Sequence, residues 1–152
     1  MALTLHIGVI DVAEPEGGTT GSVAEDLEKR YSLFTAFADS NIDYITESMV
    51  EDASDMIEAI MSGEPIGKQF SASGDLITTR FKQFIANSED EKLGLVGVPT
   101  QAALAGTSLR TKGGKSISKV RKGAKYIRVY GAKRPSFIYS GILQASLKCW
   151  VE

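Results

Sequence analysis

This chain of 152 residues holds one cysteine, Cys149, and one histidine, His6. A single cysteine excludes an intramolecular disulfide, and with one histidine it leaves too few soft ligands for most metal clusters. Any histidine-based triad or zinc site would have to use His6. No apolar run approaches the roughly 20 residues needed to span a bilayer. The opening Met1-Ala2-Leu3-Thr4-Leu5 has no basic region followed by a long apolar stretch, so no secretory signal is expected. These absences suggest synthesis in a reducing cytoplasm and no contact with a membrane. The longest absence is of negative charge: between Glu91 and Glu152 there is no carboxylate.

That gap uncovers a division that the net charge of −2 hides. Residues 1–91 carry 18 Asp and Glu against 5 Lys and Arg, a net of −13. Residues 92–152 carry 12 Lys and Arg against Glu152 alone, a net of +11. Such halves can match within one fold or between copies, and either way charge orients a binding event more than it supplies affinity. The length suits one domain with one core. Hydrophobic and charged contents of 43% and 24% are those of an ordinary globular protein.

Residues 3–12 read as a strand, with Leu3, Leu5, Ile7 and Val9 on one face and Thr4, His6 and Gly8 on the other. Residues 14–21 are a loop by composition. Ser22-Val23-Ala24-Glu25 predicts a capping box, followed by a helix whose stripe is Val23, Leu27, Tyr31, Phe34 and Phe37, ending near Asp39. A second helix is predicted by Ile42, Ile45, Met49, Ala53, Met56, Ile57, Ile60 and Met61, closed by Gly63 and Pro65. Burying that set would be worth on the order of 10 kcal/mol before entropy is subtracted. A third helix over 75–87 runs through Leu76, Ile77, Phe81, Phe84 and Ile85, with Ser73 or Asp75 as its cap.

Composition changes at residues 88–92, a charged turn. Residues 93–98 read as a short strand, and Pro99-Thr100 opens a helical turn over 101–104, closed by Gly106. Residues 107–125 have only Leu109, Ile117 and Val120 as apolar anchors, which predicts a long mobile loop or an exposed hairpin. Residues 125–130 alternate as a strand. Residues 137–151 fit a helical turn from Ser140 followed by a strand, and the two periods are nearly tied there. No internal repeat is present.

His6 reads as a strand residue facing solvent or a loop rather than a ligand. Cys149, between Lys148 and Trp150, reads as a small packed thiol; a nucleophile would need a partner base. Residues 63–68 resemble a phosphate loop only superficially: the spacing would need glycine at Ser62, and Gln69 follows Lys68 where Ser or Thr belongs. Met49, Met56 and Met61 read as core filling, with a partner-facing role as the alternative. The carboxylates Asp43, Glu47, Glu51, Asp52, Asp55 and Glu58 spread around the polar face of the second helix instead of converging on a pocket. They read as a solvated face, or as one that receives a basic partner; Glu47, Glu51, Asp55 and Glu58 are the candidates.

The strongest functional signal is the basic run of Arg110, Lys112, Lys115, Lys119, Arg121, Lys122, Lys125, Arg128, Lys133 and Arg134. Its spacing is too irregular for a one-faced recognition helix. Tyr126 and Tyr130 are interleaved and would allow base stacking. No nucleic-acid module signature accompanies them, and repulsion from the acidic half reaches only about 8–10 Å at moderate salt. Protein contact, nucleic-acid contact and a merely solvated loop all remain open on these residues.

Residues 133–147, Lys133 through Leu147, are similar to the ending of small virion proteins of tailed bacteriophages: the head–tail joining, tail completion and tail terminator proteins. Their pattern has Asp-Thr-Gly, a Leu two residues on and a Ser three after that. Ser140-Gly141, Leu143 and Ser146 match, while Tyr139 stands in the place of the aspartate. Residues 97–104, the basic Gly-rich segment and Trp150-Val151 also resemble this group. The resemblance implies an α+β subunit without catalysis, assembling into a ring at the head–tail junction or tail end of a virion. Its partners would be further copies of itself and neighbouring neck or tail proteins, with contact to genome DNA passing the ring left open.

Head-to-tail ring contacts are heterologous and need two unlike, complementary surfaces on each subunit, which a chain with one acidic and one basic half supplies. The expected architecture is a single domain, 1–152, of two to three amphipathic helices packed on a small, mainly antiparallel sheet with a long basic loop. Residues 1–91 form its acidic body and 107–134 a basic loop or hairpin arm. No catalytic, cofactor-binding or metal-binding residue is assigned. A nucleic-acid-binding accessory protein that uses the same basic segment is the alternative.

Overall fold

The computed structural model describes residues 4–14, 17–65, 70–104, 106, 118–122, 125–129, 132–138 and 141–152. Strand β1 (Leu5–Val9) turns Leu5, Ile7 and Val9 onto the core, as its alternation predicts. The chain then folds back tightly. Thr20 Oγ1 donates to the Ile10 carbonyl at 2.7 Å and accepts from the Val12 amide at 2.9 Å, which pulls Thr20 inside. Helix α1 (Thr20–Tyr31) therefore starts earlier than the expected box at Ser22. Thr19 is the N-cap and Ser22 its reciprocal partner, each side chain accepting from the other's amide. Glu25 pairs instead with Lys29 one turn on.

The single helix expected through Asp39 is broken. Ser32 takes a left-handed conformation, φ 49°, and α2 (Leu33–Ser40) follows at a new angle. Glu28 makes the break tolerable: its carboxylate accepts from the Phe34 amide at 2.8 Å and from the Thr35 hydroxyl, capping the new helix. The turn brings Leu33 as well as Phe37 into the core.

Helix α3 (Ile42–Ser62) ends at Gly63, φ 70°, as its sequence predicts. Helix α4 (Ser71–Ala86) begins one turn before the expected position. Neither Ser73 nor Asp75 caps it. Asp52 of α3 does, accepting from the Ser73 amide at 2.9 Å. Residues 88–92 are not a plain turn but the one-turn helix α5 (Glu89–Lys92). The strand expected at 93–98 is absent, because Gly94 (φ 71°) and Gly97 (φ 81°) fold the segment into consecutive turns. Helix α6 (Gln101–Leu104) follows where the Pro-Thr start places it.

Strands β2 (Ser118–Lys122) and β3 (Lys125–Val129) pair antiparallel with each other. The near-tie over the last residues resolves as both structures in succession, α7 (Ile142–Ser146) running directly into β4 (Leu147–Val151). Strand β4 pairs antiparallel with β1, from Leu5↔Val151 to Val9↔Leu147.

The architecture is α+β: α4 crosses β4, with α3 on one side of it and α1 and α2 closing the core. Gly74 permits the crossing, since a Cβ there would lie 2.9 Å from the Cys149 carbonyl oxygen. Thr78, one turn along, accepts from the Cys149 amide at 2.9 Å and donates to the Gly74 carbonyl, so helix and sheet share hydrogen bonds. Phe37 stacks on Phe81 with ring centroids 4.2 Å apart, and Phe34 and Phe84 meet that pair edge-on. Leu33, Ile45, Ile77, Ile85, Leu147 and Cys149 complete the buried cluster.

Candidate interaction surface

Helix α3 packs only in part as its apolar pattern predicts. Ile45 is buried and Met49, Ala53 and Met56 are partly covered. Ile42, Ile57, Ile60 and Met61 are exposed, the last by 82%, so the expectation that all eight residues fill the core is corrected. Asp52 meets the first turn of α4, and the ten residues of α3 beyond it overrun that turn by ~15 Å at 1.5 Å per residue. Val50, Ile57, Ile60 and Met61 form an apolar stripe with exposures of 59%, 57%, 58% and 82%.

An acidic ridge runs beside that stripe. At 100° per residue, Glu47, Glu51, Asp55 and Glu58 fall on an arc of about 80°, next to the apolar one. All four are exposed, as the solvated-face reading expects. Asp52 is not part of that face, because its carboxylate is committed to α4. The missed stripe did have a signature in the chain. Val50 and Met61 widen the apolar arc of α3 to about 160°, more than one packing face uses.

The basic run divides into three groups. Arg110, Lys112 and Lys115 lie outside the described residues, as does Tyr130. Lys119, Arg121 and Lys122 fall on β2 and Lys125 and Arg128 on β3, in a register that sets Lys119 opposite Arg128 and Arg121 opposite Tyr126. Lys133 and Arg134 belong to the foot of the segment. The Lys133 ammonium lies 2.6 Å from Glu91, and the Arg134 amide donates to the Ala103 carbonyl at 3.2 Å.

His6 stacks on Trp150, centroids 5.2 Å apart, with Glu152 at 3.7 Å. Cys149 is buried and burial pushes its thiol pKa up, against what a nucleophile requires. A cleft between Ser40, Asn41, Phe84 and Leu93 has Arg80 on its wall, but that guanidinium grips Glu89 with two bonds of 2.9 and 2.6 Å. The same bond holds the Glu89 carboxyl below its ordinary pKa. Gly63, which opens the phosphate-loop-like segment, is the cap of α3, and residues 66–69 lie outside the described residues. Among the described residues no group of His, Cys, Asp and Glu is arranged to hold a metal ion, and no helix is long and apolar enough to cross a membrane.

One buried group was not singled out by the sequence. Asp90, on α5, is fully buried, and neither carboxylate oxygen has a hydrogen-bond partner among the described residues. Burial raises its pKa to about 6, nearby backbone amides offset part of that, and Glu91 and Glu89 add to it. Its carboxyl therefore titrates nearer to neutral pH than an ordinary aspartate does. It stands beside the Glu91 that holds Lys133. Comparison of the chain with protein-family models, with curated proteins and with solved structures finds no match to any of them.

Proposed function

We propose that this chain is a structural, non-catalytic subunit of a tailed-phage virion, forming a ring at the head–tail junction or tail end. The observation that carries the reading is the separation of two unlike surfaces on one chain. The helical body presents the acidic ridge of α3 beside an uncovered apolar stripe, while the cations of residues 118–129 sit on a separate strand pair. Heterologous contact between copies uses such a pair of surfaces, and repeated head-to-tail contact closes into rings. The resemblance of residues 97–104, 133–147 and 150–151 to head–tail joining, tail completion and tail terminator proteins is what supports a virion ring over other ring assemblies.

Light scattering of the purified protein at low salt, followed by negative-stain imaging, tests this. Rings of one discrete mass are expected, dispersing as salt screens the charged contacts. A monomer at every concentration and salt would remove the reading. Salt-dependent retention of DNA by a protein that stays monomeric would move it to the nucleic-acid alternative.

A further inference from the structure

We infer that the exposed acidic and apolar side of α3, from Glu47 to Met61, is the receiving site for the β2–β3 strand pair of a second copy of this chain. The inference rests on the ring reading and adds to it which two surfaces meet. Four observations converge on α3. Its exposed side is two-part, an acidic ridge of Glu47, Glu51, Asp55 and Glu58 flanked by the apolar stripe of Val50, Ile57 and Met61. A nucleic acid or an anionic membrane surface would be repelled by the ridge, whereas a basic protein element with apolar positions satisfies both parts.

The strand pair has that composition. Lys119, Arg121, Lys122, Lys125 and Arg128 lie within ten strand residues that hold no carboxylate, and Val120 pairs with Ile127 in the register. The dimensions agree as well. From Glu47 to Glu58 the ridge runs ~16 Å along the helix, and a five-residue strand runs ~17 Å.

The geometry also favours a neighbour over the chain's own arm. The foot of the basic segment is tied to Glu91 of α5, and the cleft that joins α5 to Ser40 and Asn41 lies at the start of α3. From there the ridge begins ~9 Å along the helix, at Glu47, and ends ~25 Å along it, at Glu58. The arm of each copy is thus rooted beyond the Glu47 end of its own ridge, and Asp55, Ile57, Glu58 and Met61 lie towards the opposite end of α3, an arrangement suited to a head-to-tail contact.

Complementary charge reversal tests the pairing. One variant carries Glu51→Lys, Asp55→Lys and Glu58→Lys; the other carries Lys119→Glu, Arg121→Glu and Lys122→Glu. The α3 positions are exposed, so unchanged melting temperature is expected of that variant. Each variant alone should associate at least about tenfold more weakly than the parent. An equimolar mixture should regain assembly, because the reversed α3 of one accepts the reversed strands of the other and the parental surfaces of the two also match. Ile57→Ser with Met61→Ser should weaken association without lowering the melting temperature. If the parent assembles and both charge variants do so equally well, this docking is wrong while the ring reading stands. Monomeric variants whose mixture stays monomeric would also overturn it, placing the strand pair on its own chain or on another partner. A parent that never assembles would sink the ring reading itself.

Discussion

At the scale of single residues, Asp90 is the position where fold and solvent conditions are coupled most directly. Its pKa is raised from 3.8 to about 6 by burial, so the folded state favours the protonated form. The stabilising contribution is fully present below the ordinary carboxylate pKa and is lost as pH rises through about 6. At neutral pH the ionised group costs about 2–3 kcal/mol, since each pKa unit is 1.36 kcal/mol. Asp90→Asn, which holds the side chain neutral, should therefore stabilise the protein by about that amount at pH 7 and by little at pH 4. Urea unfolding at the two pH values measures it, and equal effects at both would show that Asp90 ionises freely in the fold. Nothing in Glu89-Asp90-Glu91 tells a reader of the sequence which carboxylate is inside. Arg80 takes Glu89 and Lys133 takes Glu91, and both partners come from elsewhere in the chain.

Among the elements, α4 and α3 show what periodicity can and cannot reveal. The apolar face of α4 was legible because Ile77, Phe81, Phe84 and Ile85 repeat at helical spacing and all are buried, while Leu76, counted in the same stripe, is exposed. Its start was not, because the carboxylate that caps it arrives from Asp52, 21 residues upstream. The crossing of α4 over β4 was equally hidden. In an isolated helix Gly74→Ala would stabilise by about 1 kcal/mol. Here the new Cβ would sit 2.9 Å from the Cys149 carbonyl oxygen, a backbone atom that cannot swing aside. The substitution should instead destabilise by about 1–3 kcal/mol, read from the urea midpoint. A gain in stability would mean that helix and strand can separate without cost. Helix α3 taught the opposite lesson. Its pattern was correctly helical, but an apolar period does not say how far the packing neighbour extends, and α4 starts level with Asp52.

For the whole molecule, the α+β class followed from one alternating segment at the front, three helical stripes and an ending that fitted both periods. The charge division was legible without any structure, as a count. Its placement was less so: the amphipathic helices carry the negative charge, but which carboxylates stay exposed depended on caps and ion pairs supplied from distant residues. Between Ala103 and Arg134 the basic segment is closed by a backbone hydrogen bond, so it is a loop inserted into the body rather than a tail. Replacing residues 107–131 with a short Gly/Ser linker should leave stability within about 1 kcal/mol of the parent, because closure entropy changes slowly with length. The same variant should lose self-association in light scattering. If the shortened chain fails to fold, the basic segment belongs to the body and the separation of roles is wrong.

The pairing of β1 with β4 sets an order of events. Leu5 meets Val151 across almost the whole sequence, and Thr4 and Glu152 exchange amide-to-carbonyl bonds of 2.8 and 3.0 Å. During synthesis every acidic helix and then the basic segment leave the ribosome before β1 has its partner. Through that interval β1 has no strand beside it, the Thr78 hydroxyl lacks the Cys149 amide, and the hollow over Gly74 is unfilled. Contacts this distant in sequence form slowly. The last strand is therefore the fastener: until it is laid down, the sheet half of the core is missing, and the foot of the basic segment is joined to the acidic body through the ion pair of Lys133 and Glu91.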